Sequence, residues 1–323
     1  MLHGWAESTL TTYGSALGMY HRACDELGLS EVDRAPVAPE VFAHVLAHLA
    51  GSVSQSALVN MQAAVRAWHL LNQLPWTVDR VLCSKILDAA RAMAPAARAQ
   101  RLPYTLAKLE RALATLSTVD PLDVAVRACA CVLFWAIARA GELTVPALTR
   151  VDFARLVRPV HVRPDVDREG NTVTVIHVPY TKSSRERGED LSFSAQHGPS
   201  DPVAAVDLQR KVNAPRDSEH LFAYRDASGR RRPLTRGVFL ARMRRACQAG
   251  GFDALAGHAF RIGGTLEYLL RGLSLESVRT LGRWSSERAF ALYLRNHSQI
   301  MAPYLQAVPR LRGFVSHALP PVR

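Results

Sequence analysis

The chain has 323 residues, 48% of them hydrophobic and 21% charged, enough to build two cores, since single cores rarely grow past about 250 residues. No apolar run approaches the roughly 18 residues that a bilayer demands, and no charged-then-apolar leader opens the chain, which sets aside the membrane and secreted classes. The net charge of +12 is uneven: residues 1–100 carry 7 Lys and Arg against 8 Asp and Glu, and residues 101–323 carry 33 against 20. That surplus suggests a polyanionic partner, although the arginine bias of a GC-rich genome, with only four lysines in the chain, accounts for the same figures.

In chain order, Leu10, Tyr13, Leu17, Tyr20, Cys24 and Leu27 step by three and four, the spacing of one helical face. Ser8 is a candidate N-cap. Residues 40–50, 56–73 and 78–93 read as further helices, broken by Gly51 and Pro75. The expectation is a helical module over residues 1–98. Residues 94–103, small and polar with a proline near each end, read as a linker into a second domain over 99–323. Helices are predicted at 105–117 and 121–138. The period then changes. Val173, Val175 and Val178 lie in a β-branched run ending at Tyr180, and Asp190-Leu-Ser-Phe-Ser alternates as a second strand. The polar stretch 181–189 between them reads as a hairpin loop. From about 234 the pattern is helical again, cut by Gly250-Gly251, Gly272 and Gly282. The expected fold class is mainly α, a helical N-terminal domain followed by a mixed α+β domain with a small antiparallel sheet. The five cysteines, Cys24, Cys83, Cys129, Cys131 and Cys247, are odd in number and scattered, and read as reduced core thiols. No Cys/His group has zinc-site spacing.

Six residues have the side-chain types that phosphate chemistry uses: Arg139, Lys182, His258, Arg261, Trp284 and Tyr293. Each alone is a weak signal. His258-Ala-Phe-Arg261 is an i, i+3 pair that chance supplies about once in such a chain, and such pairs usually form a solvated face. Arg139 follows an apolar helix, where it either caps the helix end or holds a phosphate. Lys182 reads equally as an exposed loop lysine, and Trp284 and Tyr293 as half-buried helix residues.

Together the strings ARAGEL (138–143), TKSS (181–184), HAFRIGG (258–264), LGRWSS (281–286) and YLRN (293–296) resemble the signature of the tyrosine recombinase, or phage integrase, family. That signature is R-x-x-E-L, a hairpin lysine, H-x-x-R, a Gly-His or Gly-Trp step, and a nucleophilic tyrosine. Residues 257–296 resemble the phage Cre recombinase type, in which tryptophan precedes the tyrosine. The opening Leu2-His-Gly-Trp-Ala-Glu-Ser-Thr-Leu-Thr-Thr-Tyr is similar to recombinases of fungal mobile elements. The match runs in order over 101–300, and the N-terminal module resembles the family's SAM-like core-binding domain in outline.

The resemblance implies a site-specific recombinase or integrase that cleaves and rejoins DNA through a 3′-phosphotyrosine. Arg139 and Arg261 suit the charge that gathers on the non-bridging oxygens, since each has a planar fork. His258 can donate to a non-bridging oxygen. Trp284 has one N–H donor and no acceptor, so it can hold phosphate or pack the tyrosine helix. Tyr293 attacks and Lys182 protonates the leaving 5′ oxygen, with Tyr268 and Tyr304 as rival nucleophiles. By resemblance Glu142 supports His258 from behind. No cofactor or metal is expected: the sequence has neither a phosphate-binding G-x-x-x-x-G-K-[ST] loop nor clustered carboxylates. DNA contacts are expected from Arg66, His69 and Lys85, and from the run Arg230, Arg231 and Arg232 through Arg236, Arg242, Arg244 and Arg245, which reads equally as a solvated face. The expected partners are double-stranded DNA and copies of the chain, as a tetramer on paired sites and a monomer or dimer when free. In such a tetramer the apolar segment 298–312 docks on a neighbouring protomer. The location implied is with the genome, the nucleus in a eukaryote or the nucleoid in a bacterium. Two other readings stand beside this one, a topoisomerase IB-like enzyme and a catalytically silent DNA-binding descendant of a recombinase.

Overall fold

The structure, a computed structural model, describes residue 5 and residues 7–96, 102–166, 168–181, 183–287 and 290. It divides into two compact units, residues 1–99 and 100–323. The linker residues 97–101 and the segment 298–312 lie outside the described residues.

The N-terminal unit is helical. Helix α1 (Glu7–Glu26) begins one residue before Ser8 and packs on α4 (Gln55–Leu71), while α3 (Pro39–Leu49) packs on α5 (Arg80–Met93). A one-turn helix, α2 (Glu31–Arg34), joins α1 to α3 and was not legible from periodicity. Pro39 fills the first turn of α3, where its missing N–H costs nothing, and Ser54 and Asp79 accept backbone N–H groups at the starts of α4 and α5. Tyr20, Phe42, Leu46, Leu58 and Met61 close the core.

The second unit is built around α7 (Pro121–Trp135), which is buried from Asp123 to Trp135 except at the part-exposed Arg127. A helix with no polar face needs cover on every side. It is covered by α9 (Pro202–Asn213), α10 (Arg236–Ala249) and α11 (His258–Leu270), with α6 (Leu106–Ala114) against α10. Helix α9 was not predicted, although Asp201 at its N-cap and Pro202 at its first position are start signals. All five cysteines are buried and unpaired.

The sheet has the order β1 (Val162–Val166), β2 (Thr172–Val178), β3 (Glu189–Phe193), all antiparallel, with Val162 opposite Ile176 and Val178 opposite Glu189. Strands β2 and β3 are the predicted hairpin. Strand β1 was missed because Arg163-Pro164-Asp165 lacks alternation, and it is an exposed edge, the place a sheet tolerates proline. A two-residue hairpin, β4 (Tyr224–Arg225) with β5 (Arg231–Arg232), precedes α10. Helix α12 (Leu275–Leu281) follows α11. No helix among the described residues is long and apolar enough to cross a membrane.

Candidate active site

The predicted helix 121–138 stops at Trp135, because Ile137 lies at φ +47°. A β-branched residue in the left-handed region is a steric outlier. The reversal places Arg139 at the N-cap of the short helix α8 (Ala140–Leu143). Glu142 closes the cap: Oε2 accepts the Arg139 backbone N–H at 2.9 Å and Oε1 accepts Nη1–H of Arg139 at 2.7 Å. The Glu142 side chain is 5% exposed and that of Arg139 is 36% exposed. Arg139 is thus aimed from below while its outer side faces solvent. The Glu142 carboxylate also bridges two guanidiniums, because Nη2–H of Arg283 donates to Oε2 at 2.8 Å.

Helix α11 starts at His258, and Gly257 before it lies against Ala140, where an added Cβ would stand 3.4 Å from that residue's Cβ. His258 and Arg139 are therefore brought together through their helix starts. Further along, a Cβ at Gly263 or Gly264 would overlap the carbonyl oxygen of Tyr104 or Phe134, so glycine permits backbone-to-backbone packing that no side chain allows.

Arg261, one turn after His258, is 1% exposed. Its Nη1 donates to the carbonyl of Ile137 and its Nη2 to that of Gly282. Its guanidinium carbon lies 4.0 Å from the centroid of the Trp284 ring, a stacked cation–π arrangement. The expected open fork is thus a buried clamp on the turns before Arg139 and Trp284. Trp284 is buried beside Ile137, Leu266, Val278 and Phe290. A Cβ at Gly282 would overlap the indole, so the Trp284 ring in this position requires glycine at 282. Tyr268 is half-buried, its hydroxyl donates to the Trp135 carbonyl at 2.8 Å, and burial pushes its pKa up to about 12. As a rival nucleophile it is poorly placed.

Lys182, Tyr293, Tyr304 and the YLRN string lie outside the described residues. Their neighbours are described. Thr181 exchanges backbone hydrogen bonds with Arg185, and Ser183 Oγ–H donates to Glu189 Oε1 at 2.8 Å. Burial works against the charge on Glu189, but hydrogen bonding from Ser183, the nearby Arg283 charge and the Thr181 and Ser184 hydroxyls outweigh it and hold the carboxyl below its usual range. Sequence reasoning missed Arg283 and Glu189 altogether. Arg283 stands inside the string LGRWSS, yet nothing in an arginine after a glycine announces burial.

The expected DNA contacts separate into two kinds. Arg66 on α4 and Lys85 on α5 are exposed. His69 is not a surface contact: it is buried, its Nε2 accepts the Val37 N–H at 2.9 Å, and its Nδ1 therefore donates to the Val65 carbonyl. Arg231 pairs with Glu219 at 3.0 Å, and Arg230 and Arg232 both pair with Asp226. Arg242 makes a two-pronged pair with Asp123 at 2.6 and 2.8 Å. Arg244 and Arg245 are exposed on α10 without an ion-pair partner among the described residues. Among the described residues no cluster of His, Cys, Asp or Glu is placed to hold a metal ion.

No family model matches the sequence, and no curated protein matches it. Solved structures do resemble it. A lambda integrase dimer bound to a COC′ core site is 17% identical with a TM-score of 0.57, over 90% of this chain and 89% of that one. The XerH site-specific recombinase in a post-cleavage complex with palindromic difH substrate is 13% identical with a TM-score of 0.60, over 92% and 79%. The integrase of transposon Tn1549, in complex with transposon right end DNA, is 13% identical with a TM-score of 0.55, over 94% of each.

Proposed function

We propose that this chain, whose fold is that of the tyrosine recombinases, is a DNA strand transferase that cleaves and rejoins duplex DNA through a phosphotyrosine. The observation that carries the reading is the convergence of separate motifs on one place. Arg261 reaches the turn before Arg139, 124 residues away in sequence, and the turn before Trp284, 21 residues away, while Glu142 fixes Arg139 from beneath. Chance motifs have no reason to meet.

In this reading Arg139 takes the non-bridging phosphate oxygens, with His258 as a further donor and Arg261 adding its positive charge to the clamp. The Tyr293 oxygen bonds to phosphorus, the bond to the 5′ oxygen breaks, Lys182 supplies that oxygen with a proton, and the phenol proton passes to water. The bond to tyrosine keeps the phosphodiester energy, so the reverse attack by a 5′-hydroxyl rejoins the strand. Trp284 packs Arg261. Arg244, Arg245, Arg66 and Lys85 are the candidate backbone contacts. Double-stranded DNA is the proposed partner, with a tetramer on paired sites.

The test begins with duplexes selected by binding from a random pool. Incubation with the protein, followed by denaturing electrophoresis, is expected to show a protein–DNA adduct that persists with a chelator present. Binding without an adduct returns the silent DNA-binding reading, and an adduct that needs added magnesium removes the arginine-based mechanism.

A further inference from the structure

Between the loop that carries Lys182 and the Arg139 site runs a chain of polar contacts with the part-buried Arg283 at its middle. Arg283 follows Gly282 at the end of α12, at φ +57°, and its side chain is 12% exposed. On one side its Nη2 donates to Glu142, which also holds Arg139. On the other its Nε stands 3.3 Å from Oε2 of Glu189, the first residue of β3. The second Glu189 oxygen accepts from Ser183, next to Lys182. Thr181, on the other side of Lys182, contacts the Ser184 hydroxyl at 2.6 Å and pairs with Arg185. Two carboxylates and two guanidiniums thus alternate from the loop to the clamp. A guanidinium is suited to this place because its planar fork hydrogen-bonds Glu142 through Nη2 while its Nε side faces Glu189 at ion-pair distance, whereas an ammonium is a point charge.

We infer that Arg283 is a positioning residue that holds the 181–188 loop in register with Arg139, so that Lys182 reaches the 5′ oxygen leaving the phosphorus that Arg139 binds. This rests on the strand-cleavage reading above. Without Arg283 the Glu189 carboxylate loses its neighbouring counter-charge and the loop loses its tie to α8. The phosphate clamp itself keeps Glu142 and Arg139. The deficit therefore falls on proton delivery rather than on DNA binding.

A substrate whose bridging 5′ oxygen is replaced by sulfur reads this directly, because a thiolate leaves without a proton. In full-length protein, Arg283→Ala is expected to slow adduct formation on ordinary duplex by at least about tenfold, a change of about 1.4 kcal/mol. On the sulfur duplex it is expected to run close to the wild-type rate with DNA affinity preserved. Arg283→Lys, which keeps the charge and loses the fork, should show the same pattern more weakly. Glu189→Gln approaches the chain from its other end, should behave alike, and carries the test if Arg283→Ala does not fold. Lys182→Ala is the reference. If Lys182→Ala is rescued by sulfur and neither Arg283→Ala nor Glu189→Gln is, the inference is overturned and strand cleavage stands. If Lys182→Ala is not rescued either, the inference falls with the assignment of the acid, while a wild-type adduct still upholds strand cleavage; no adduct with wild type removes the strand-cleavage reading itself.

Discussion

The guanidinium of Arg261 stands over the indole of Trp284, its central carbon 4.0 Å from the ring centroid, and its Nη2 donates to the carbonyl of Gly282, two residues before that indole. Arg261 is therefore held by an aromatic face and two backbone carbonyls, none of which carries a formal charge.

On this pairing we predict that Trp284 acts chiefly as the packing surface of the arginine. Trp284→Phe keeps an aromatic face and removes the N–H, and should keep adduct formation within about tenfold of wild type, the scale of a stacked cation–π contact. Trp284→Ala removes the face and opens a cavity beside Val278 and Phe290. It should lose about 3–5 kcal/mol of stability and most of its activity. Adduct assays and urea melts on the two variants check this; a Phe variant as inactive as the Ala variant makes the indole N–H the working group.

A second prediction separates the arginines of α10. Arg244→Ala and Arg245→Ala should leave stability unchanged within about 0.5 kcal/mol and reduce the salt dependence of DNA binding by about one counterion each. Arg242→Ala strands the nearly buried Asp123 and should cost about 3 kcal/mol of stability while leaving the salt slope alone. Binding isotherms at several salt concentrations, with thermal melts alongside, distinguish the two.

Acid stability should depend on His220. The ring is buried, its Nδ1 accepts the Phe222 N–H at 3.2 Å, and burial lowers its pKa to about 4. The unfolded chain takes up the proton near pH 6.5, the folded chain only near the lowered value, so between the two the unfolded state binds more protons and stability falls as pH falls. Above about pH 6.5 the residue adds no slope. His220→Asn keeps an acceptor and does not titrate. The difference in unfolding free energy between wild type and variant should be flat at neutral pH and shift against the wild type below it, by a few kcal/mol at most. A difference that stays flat to acid pH contradicts the burial argument.

The parts legible in sequence were those whose signal is local. The helices of the N-terminal unit, the β2–β3 hairpin and the glycine breaks around α11 and α12 follow from spacing, β-branching and caps. Helix α9 and strand β1 were not found, since α9 mixes Asp207, Gln209 and Arg210 with its buried face and β1 carries Pro164 on an exposed edge. At the candidate site the motifs named Arg139, Glu142, His258, Arg261 and Trp284, and the fold places these near one another. Their partners were not legible. Glu142 lies three residues from Arg139, so that contact could be guessed, but its second arginine, Arg283, is 141 residues away. His69 looked like a surface base in sequence because a helical histidine has no mark of the N–H it accepts from Val37, 32 residues back. Long-range hydrogen bonds of this kind are set by tertiary packing alone.

Tyr293→Phe tests the central claim most directly, because only the phenol oxygen is removed. Wild type and variant are incubated with the same end-labelled duplex recovered from the random pool, binding is measured by native gel, and the covalent product is resolved under denaturing conditions. The expected result is equal duplex affinity for the two proteins, a labelled adduct with wild type, and none with Tyr293→Phe. An undiminished adduct with the variant contradicts the assignment and moves the nucleophile to another residue.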